Sequence, residues 1–179
     1  EVAYHMTFGE GVGSPERIDI RDTRCLVLIG THLGENMHNG QVQEMSDAID
    51  KGATIITVDP RYSIAASKSK YWLPIKPGTY TALLLAWMNV IIGEELHDKA
   101  FIDAYTVGFD KYRDYVFGLD DGLKKTPEWA EKISGIPAET IADLGRDYQD
   151  WPLLAPKGNL NYEIPPELNI YLYRSLVIY

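Results

Sequence analysis

The sequence predicts an α/β fold with three layers: a mostly parallel, doubly wound (Rossmann-like) sheet with helices on both faces. An apolar strand over 25–29, a helix over roughly 39–50 and a second apolar strand over 53–59 follow one another within about 35 residues. This is the pattern of a right-handed βαβ unit whose strands are parallel neighbours. A Pro-Gly turn at 77–78 then opens a long apolar helix, which is expected to cover one face of the sheet.

The first helix and the third strand are predicted from local signals. The helix has an apolar face formed by Val42, Met45 and Ile49. Gly52, just past its last turn, is a typical stop signal. A third strand is predicted over 71–75, and Pro74 within it indicates an edge strand because proline cannot donate a ladder hydrogen bond.

The rest of the chain is predicted to be mainly helical. Thr79 is a candidate N-cap for a helix over 80–96, and Thr126 followed by Pro127 begins another helix. The remaining predicted elements are one or two short helices over 98–117, a helix from 136 to about 149, a strand over 152–155, a loop over 156–168 and an apolar helix over 169–179.

Residues 1–24 are predicted to be an irregular lead-in, and 25–179 a single α/β domain. The GlyGluGlyValGly run in the lead-in follows no strand and opens no helix, so a flexible turn is favoured over a phosphate loop. The chain begins at Glu1 without a methionine and stops within the last predicted helix. We therefore expect it to be truncated at both ends relative to a longer natural polypeptide.

Composition excludes several classes of protein. The chain has 179 residues, of which 45% are hydrophobic and 24% charged, as is usual for one globular domain. The net charge of −9 and the scattered basic residues argue against a nucleic-acid partner. The longest apolar stretch, 82–92, is interrupted by Asn89 and is shorter than the roughly 20 residues of a membrane span. Direct membrane insertion is therefore not expected, and the lone Cys25 is expected to be packed in a strand.

Polar residues suited to ligand binding follow the predicted strands, where open parallel sheets bind nucleotides. Gly30, Thr31 and His32 follow the first strand, and Asp59 with Arg61 follows the second. A carboxylate in the position of Asp59 can accept hydrogen bonds from both ribose hydroxyls. Arg61 can equally be a solvated charge paired with Asp59.

Two later loops offer weaker candidates. Gly78 and Thr79 open a helix and can present amides and a hydroxyl to an anion, although they also fit a plain turn. Asn159 and Asn161 follow the predicted strand over 152–155, in a loop whose composition is more typical of a simple exposed connection. The histidines show no metal-binding spacing, and no catalytic residue is assigned.

Several motifs in the same order resemble the catalytic subunits of molybdopterin oxidoreductases of the dimethyl sulfoxide reductase family. The motifs that carry the resemblance lie at 10–20, 26–36, 57–61, 72–79, 105–110, 126–130 and 133–141. The GlyThrHisLeuGlyGlu loop at 30–35 is most similar to the polysulfide and thiosulfate reductase branch, with respiratory arsenate reductases as relatives.

The resemblance implies a bis(molybdopterin guanine dinucleotide) cofactor with molybdenum in the parent enzyme, and makes 25–179 a nucleotide-binding domain for one guanosine arm. It implies contacts to this arm from the following residues: Gly30, Thr31, His32, Glu35, Asp59, Arg61, Gly78, Thr79, Tyr80, and more weakly Asn159 and Asn161. The family usually has aspartate where this chain has Tyr80, and one hydroxyl cannot copy a bidentate carboxylate.

The resemblance also implies a parent enzyme that reduces polysulfide, thiosulfate or a related oxyanion such as arsenate in anaerobic respiration. Its expected partners are the remaining domains of the catalytic subunit, an iron-sulfur electron-transfer subunit and a membrane subunit, at the periplasmic or outer face of the cytoplasmic membrane. The parent's iron-sulfur cluster and metal ligands are not expected within this chain, which alone would be inactive. Two alternatives are a non-catalytic structural homologue within a respiratory complex, favoured by Tyr80, and a generic α/β nucleotide-binding module. The absent glycine fingerprint disfavours the generic module.

Overall fold

The computed structural model describes residues 20–31, 33–35, 39–147 and 176–178. Its elements follow one another in this order: β1 (Cys25–Ile29), α1 (Asn39–Asp50), β2 (Thr54–Val58), α2 (Ile64–Lys68), β3 (Tyr71–Leu73), α3 (Tyr80–Gly93), α4 (Lys99–Tyr105), α5 (Phe109–Val116), α6 (Pro127–Ser134), α7 (Ala138–Asp147) and β4 (Leu176–Ile178). The predicted α/β class and the parallel pairing of the strands are confirmed.

The sheet has the strand order β3-β2-β1-β4, and every pair of neighbours is parallel. The registers Ile29↔Val58 and Val58↔Leu73 bring the ends of β1, β2 and β3 to one edge. β3 lies at the outside of this order, as Pro74 predicted. The carboxyl edge of three adjacent strands is therefore a continuous border for the loops that follow them.

Side chains alternate along the strands and form two apolar clusters, one on each face of the sheet. Odd-numbered residues of β1 pack with α3, α6 and α7, in a cluster that includes Cys25, Val27, Trp87, Ala130 and Ile141. Even-numbered residues pack with α1 and α2, in a cluster that includes Leu26, Leu28, Met45 and Ala65. Helices thus cover both faces of the sheet.

Several predicted boundaries were wrong for local physical reasons. The helix over 80–96 ends at Gly93, and Glu95 beyond it has a positive φ of 56° that a continuing helix cannot accommodate. By contrast, the prediction of one or two short helices over 98–117 is confirmed as two, α4 and α5, which are separated at Gly108 with its φ of +83°. The five-residue helix α2 was not predicted; Ser63 caps it by accepting a hydrogen bond from the Ala66 amide at 3.2 Å.

The apolar helix predicted over 169–179 is contradicted where the structure describes that segment. Leu176–Ile178 is strand β4, paired parallel to β1 in the register Cys25↔Leu176. The run contains two β-branched residues, which favour a strand, and pairing with β1 overrides the local apolar pattern. The strand predicted over 152–155 and the loop over 156–168 lie outside the described residues.

No helix among the described residues combines the length and the apolar character that crossing a membrane requires.

Candidate functional site

Main-chain hydrogen bonds bring the loops after β1, β2 and β3 together at the carboxyl edge. The Gly30 amide donates to the Val58 carbonyl at 3.0 Å, and the Asp59 amide donates to the Leu73 carbonyl at 3.2 Å. Each loop is thereby joined to the end of the next strand. The predicted neighbours Gly30 and Asp59 consequently begin their loops side by side.

Gly30 turns the chain at this edge with a φ of +59°, a conformation that side chains rarely adopt. A Cβ placed on it would lie 3.5 Å from the Tyr80 hydroxyl oxygen. Tyr80 begins α3, so its phenol reaches back across the edge to the end of β1. Thr31, the next residue, is half-buried.

Asp59 is a buried carboxylate, 7% exposed, directly after β2. Its Oδ1 accepts a hydrogen bond from the Arg61 main-chain amide at 2.8 Å. Its carbonyl accepts one from the Trp72 indole Nε1 at 2.9 Å. The side chain and the main chain of Asp59 are therefore both fixed by neighbouring residues.

The Arg61 guanidinium pairs with Glu35 and not with Asp59, the partner that one alternative gave it. Arg61 Nη2 donates to Glu35 Oε2, while Glu35 Oε1 accepts from the Ile64 amide at 3.0 Å. Arg61 meets Asp59 through its main-chain amide, not through a charge pair. The Arg61 side chain is 57% exposed, so its outer edge faces solvent. Glu35 therefore links the loop after β1 to the start of α2.

Gly78 and Thr79 form the turn before α3. Gly78 has a φ of +81°, and Thr79 occupies the predicted N-cap position. The predicted capping bond is absent because the Thr79 hydroxyl instead donates to the Lys76 carbonyl at 2.6 Å. The Ala82 amide donates to the Thr79 carbonyl at 3.1 Å, so the donors that the first turn of α3 can offer to a ligand are the amides of Tyr80 and Thr81.

His32, Asn159 and Asn161 lie outside the described residues. Residues that the sequence did not assign to the site are Tyr62 and Trp72, whose rings meet edge to face with centroids 4.9 Å apart. Tyr62 could have been noticed in the sequence because it directly follows ThrValAspProArg. Its contact with Trp72 in β3 could not, because that contact depends on the tertiary fold.

The described residues contain no cluster of three or more histidine, cysteine, aspartate or glutamate side chains placed to hold a metal ion. Cys25 is buried in β1 as predicted, with 1% exposure. Burial raises the pKa of its thiol to about 12, so the thiolate that binds metals is disfavoured.

A family model described as "Molybdopterin oxidoreductase" matches residues 3–178. The dimethyl sulfoxide reductase DmsA of Haemophilus influenzae is 40% identical over 72% of this chain and 18% of its own length. The thiosulfate reductase molybdopterin-containing subunit PhsA of Salmonella typhimurium is 37% identical over 76% of this chain and 17% of its own length. The chain therefore spans less than a fifth of these relatives.

Among solved structures, acetylene hydratase from Pelobacter acetylenicus matches with a TM-score of 0.66 and 29% identity, covering 80% of this chain and 18% of that protein. The resemblance inferred from the ordered motifs is thus confirmed at the level of the family. The sequence relatives include both a dimethyl sulfoxide reductase and a thiosulfate reductase at similar identity, so sequence identity does not distinguish between these two branches.

Proposed function

Since the chain belongs to the molybdopterin oxidoreductase family, we propose that it holds one guanosine arm of a molybdopterin guanine dinucleotide at the carboxyl edge of its sheet. One observation carries the proposal. The positive-φ turn at Gly30 and the buried carboxylate of Asp59 follow adjacent parallel strands and lie side by side. This edge is where open α/β sheets bind nucleotides.

The donor set at this edge fits the chemistry of such an arm. Gly30 has no side chain, and a Cβ there would occupy the space that faces the Tyr80 hydroxyl. Asp59 supplies acceptors for ribose hydroxyls. The exposed edge of the Arg61 guanidinium and the amides of Tyr80 and Thr81 in the first turn of α3 would supply donors for a pyrophosphate. Glu35 contributes indirectly, since both of its carboxylate oxygens hold protein groups.

The proposed site also includes residues of the loops that border it, namely Thr31, Gly78 and Thr79. The family resemblance alone supports three further residues, His32, Asn159 and Asn161. Tyr80 is proposed to contact the nucleotide through its hydroxyl beside Gly30. A phenol presents one donor and one acceptor region, so its recognition of a guanine edge is weaker than that of a carboxylate.

We also infer that the described sheet is part of a larger doubly wound, Rossmann-like sheet. The strand order β3-β2-β1-β4 supports this inference, because the same order forms the first half of the doubly wound arrangement and its reversal beside β1.

For the whole polypeptide we propose a molybdenum oxidoreductase that reduces a sulfur compound or a related oxyanion. The names of the reductase relatives support this. The bound cofactor would supply the two-electron redox chemistry, and this chain would bind and orient one arm of it. The other domains of the catalytic subunit, an iron-sulfur subunit and a membrane subunit at the outer face of the cytoplasmic membrane complete the proposed complex.

A non-catalytic homologue that keeps the fold within a respiratory complex is the second candidate. The observation that favours it is Tyr80, which replaces the usual guanine-reading aspartate at the start of α3. A generic NAD-binding module is disfavoured, since Gly30 and Asp59 are separated by more residues than the usual spacing of about 20.

The test is calorimetric titration of the chain with GDP and with NAD. Asp59→Asn keeps an oxygen for the Arg61 amide but removes the charge and one acceptor, so it should weaken GDP binding about tenfold, the value of one hydrogen bond to a charged group. Asp103→Asn in α4, whose carboxylate pairs with Lys99 on the surface, is the matched control and should bind GDP normally. Binding of NAD without GDP, or an Asp59→Asn variant that binds GDP like the unaltered chain, would contradict the proposal.

A further inference from the structure

Tyr62 presents an exposed aromatic ring beside the candidate nucleotide site. It is 62% exposed and follows Asp59 by three positions. An exposed tyrosine is ordinary on a protein surface, but this one is held in a fixed position. Its ring meets the Trp72 ring at an interplanar angle of 76°, an edge-to-face arrangement that favours one orientation of the pair.

The contacts that hold Tyr62 in place also connect it to Asp59. The Trp72 indole that contacts Tyr62 donates its hydrogen bond to the Asp59 carbonyl. On the other side, the Ser63 amide donates to the Arg61 carbonyl at 2.9 Å, and the Ser63 hydroxyl caps α2. Tyr62 is thus fixed by both of its chain neighbours and by β3. A ring held in this way loses little conformational entropy when a ligand packs against it.

A nucleoside whose ribose is held by Asp59 would place its base near this ring. The base is joined to C1′ of the ribose, next to the C2′ hydroxyl, so a ribose held by Asp59 must put its base close to that carboxylate. Flat aromatic side chains stack on bases, and the interaction tolerates different bases because each has a π-face. The exposed ring nearest to Asp59 in the chain is that of Tyr62.

We propose that Tyr62 is the stacking platform for the purine base of the bound nucleotide. The inference rests on the proposed function and adds a residue to the same site. It also assigns different roles to the two tyrosines, Tyr62 and Tyr80. Tyr62 would contribute affinity for a large flat base, whereas Tyr80, at the start of α3, meets the site through its hydroxyl.

The experiment compares nucleotide binding by Tyr62→Leu, Tyr62→Phe and a matched control. Tyr62→Leu removes the ring and should raise the Kd for GDP by roughly 5- to 150-fold, the effect of losing one base-aromatic stack. Tyr62→Phe keeps the ring and should bind GDP within about twofold of the unaltered chain. Tyr105→Leu, at another exposed tyrosine on α4 (56% exposed), is the control and should leave GDP binding unchanged.

A ligand without a base separates stacking from displacement of the loop. Ribose 5-phosphate should bind Tyr62→Leu and the unaltered chain equally, because its ribose and phosphate do not use the ring. Equal losses for GDP and ribose 5-phosphate would overturn the stacking role, as would equal losses in the Leu and Phe variants. GDP binding that needs Asp59 but ignores Tyr62→Leu would overturn this inference alone. Absence of GDP binding by the unaltered chain would overturn both this inference and the proposed function.

Discussion

Removing the Glu35 carboxylate should loosen the junction between the loop after β1 and the start of α2. Glu35 Oε1 accepts the Ile64 amide at 3.0 Å, and Oε2 accepts Arg61 Nη2. The Glu35 side chain is 21% exposed, whereas that of Arg61 is 57% exposed. The hydrogen bond from the Ile64 amide is therefore expected to contribute more to stability than the ion pair with Arg61, because solvent screens the ion pair.

The magnitudes follow from these two contacts. An exposed ion pair contributes about 0.2–1 kcal/mol, and the hydrogen bond from the Ile64 amide about 1–1.5 kcal/mol. Glu35→Ala should lower the free energy of unfolding by about 1–2.5 kcal/mol, which corresponds to a Tm decrease of roughly 2–10 °C for a chain of this size. Glu35→Gln keeps an oxygen for the amide and should cost only about 0.2–1 kcal/mol, the contribution of the ion pair.

Urea denaturation followed by far-ultraviolet circular dichroism measures both effects. Asp103→Ala, which removes a carboxylate paired with Lys99 where both side chains are exposed, is the control and should cost less than about 0.5 kcal/mol. Combining Glu35→Gln with Arg61→Met gives a double-mutant cycle whose coupling should be about 0.2–1 kcal/mol. Glu35 does not stabilise this junction if Glu35→Ala lowers the free energy of unfolding no more than the control does. The ion pair contributes nothing if the effects of Glu35→Gln and Arg61→Met are additive.

Three further predictions concern stability and reactivity. Gly30→Ala should destabilise the chain by about 1–2 kcal/mol because of its positive φ, whereas Gly40→Ala in α1, with open space around it, should stabilise it by up to about 1 kcal/mol; equal urea midpoints would contradict this. Cys25 should not react with a thiol reagent at pH 8 until denaturant unfolds the chain, since burial raises its pKa to about 12; rapid labelling of the native chain would oppose this. A hydrogen bond from Lys125 lowers the pKa of the Asp121 carboxyl below its usual 3.8, so its stabilising contribution is present above that pH and is lost as the pH falls through the lowered value. The difference in urea midpoint between Asp121→Asn and the unaltered chain should therefore shrink as the pH is lowered from 6 to 2, and a constant difference would refute the linkage.

The first βαβ unit could be predicted from the sequence because its signals are local. The apolar strand 25–29 and the helix 39–50 have the bounds that the structure gives to β1 and α1, and Gly52 has the positive φ, 89°, that a helix stop requires. The short helix α2 could not be predicted, since five residues are too few to show a helical period. β4 was misjudged because its pairing with β1 joins segments about 150 residues apart, and no local pattern reports such a contact.

The composition of the edge could likewise be predicted, but its pairings could not. Parallel strands end at the same border, so the sequence alone placed Gly30 and Asp59 together. The partner of Arg61 is Glu35, 26 residues earlier in the chain, and that choice depends on how the loop after β1 folds over α2. Asp59 is the carboxylate nearest to Arg61 in the sequence and was the alternative partner for its guanidinium. In the structure, Asp59 Oδ1 instead accepts a hydrogen bond from the Arg61 main-chain amide.

Tyr80 shows how the structure changes the meaning of a sequence departure. In the sequence it stands where a guanine-reading aspartate is usual, which counts against nucleotide binding. In the fold its hydroxyl lies beside Gly30, while its partly buried ring packs against the apolar cluster that includes Leu83 and Trp87. A nucleotide that approaches the Gly30 turn must therefore also approach the Tyr80 hydroxyl. In the proposed site, Tyr80 would therefore still contact the nucleotide, with one hydroxyl in place of the carboxylate that is usual there.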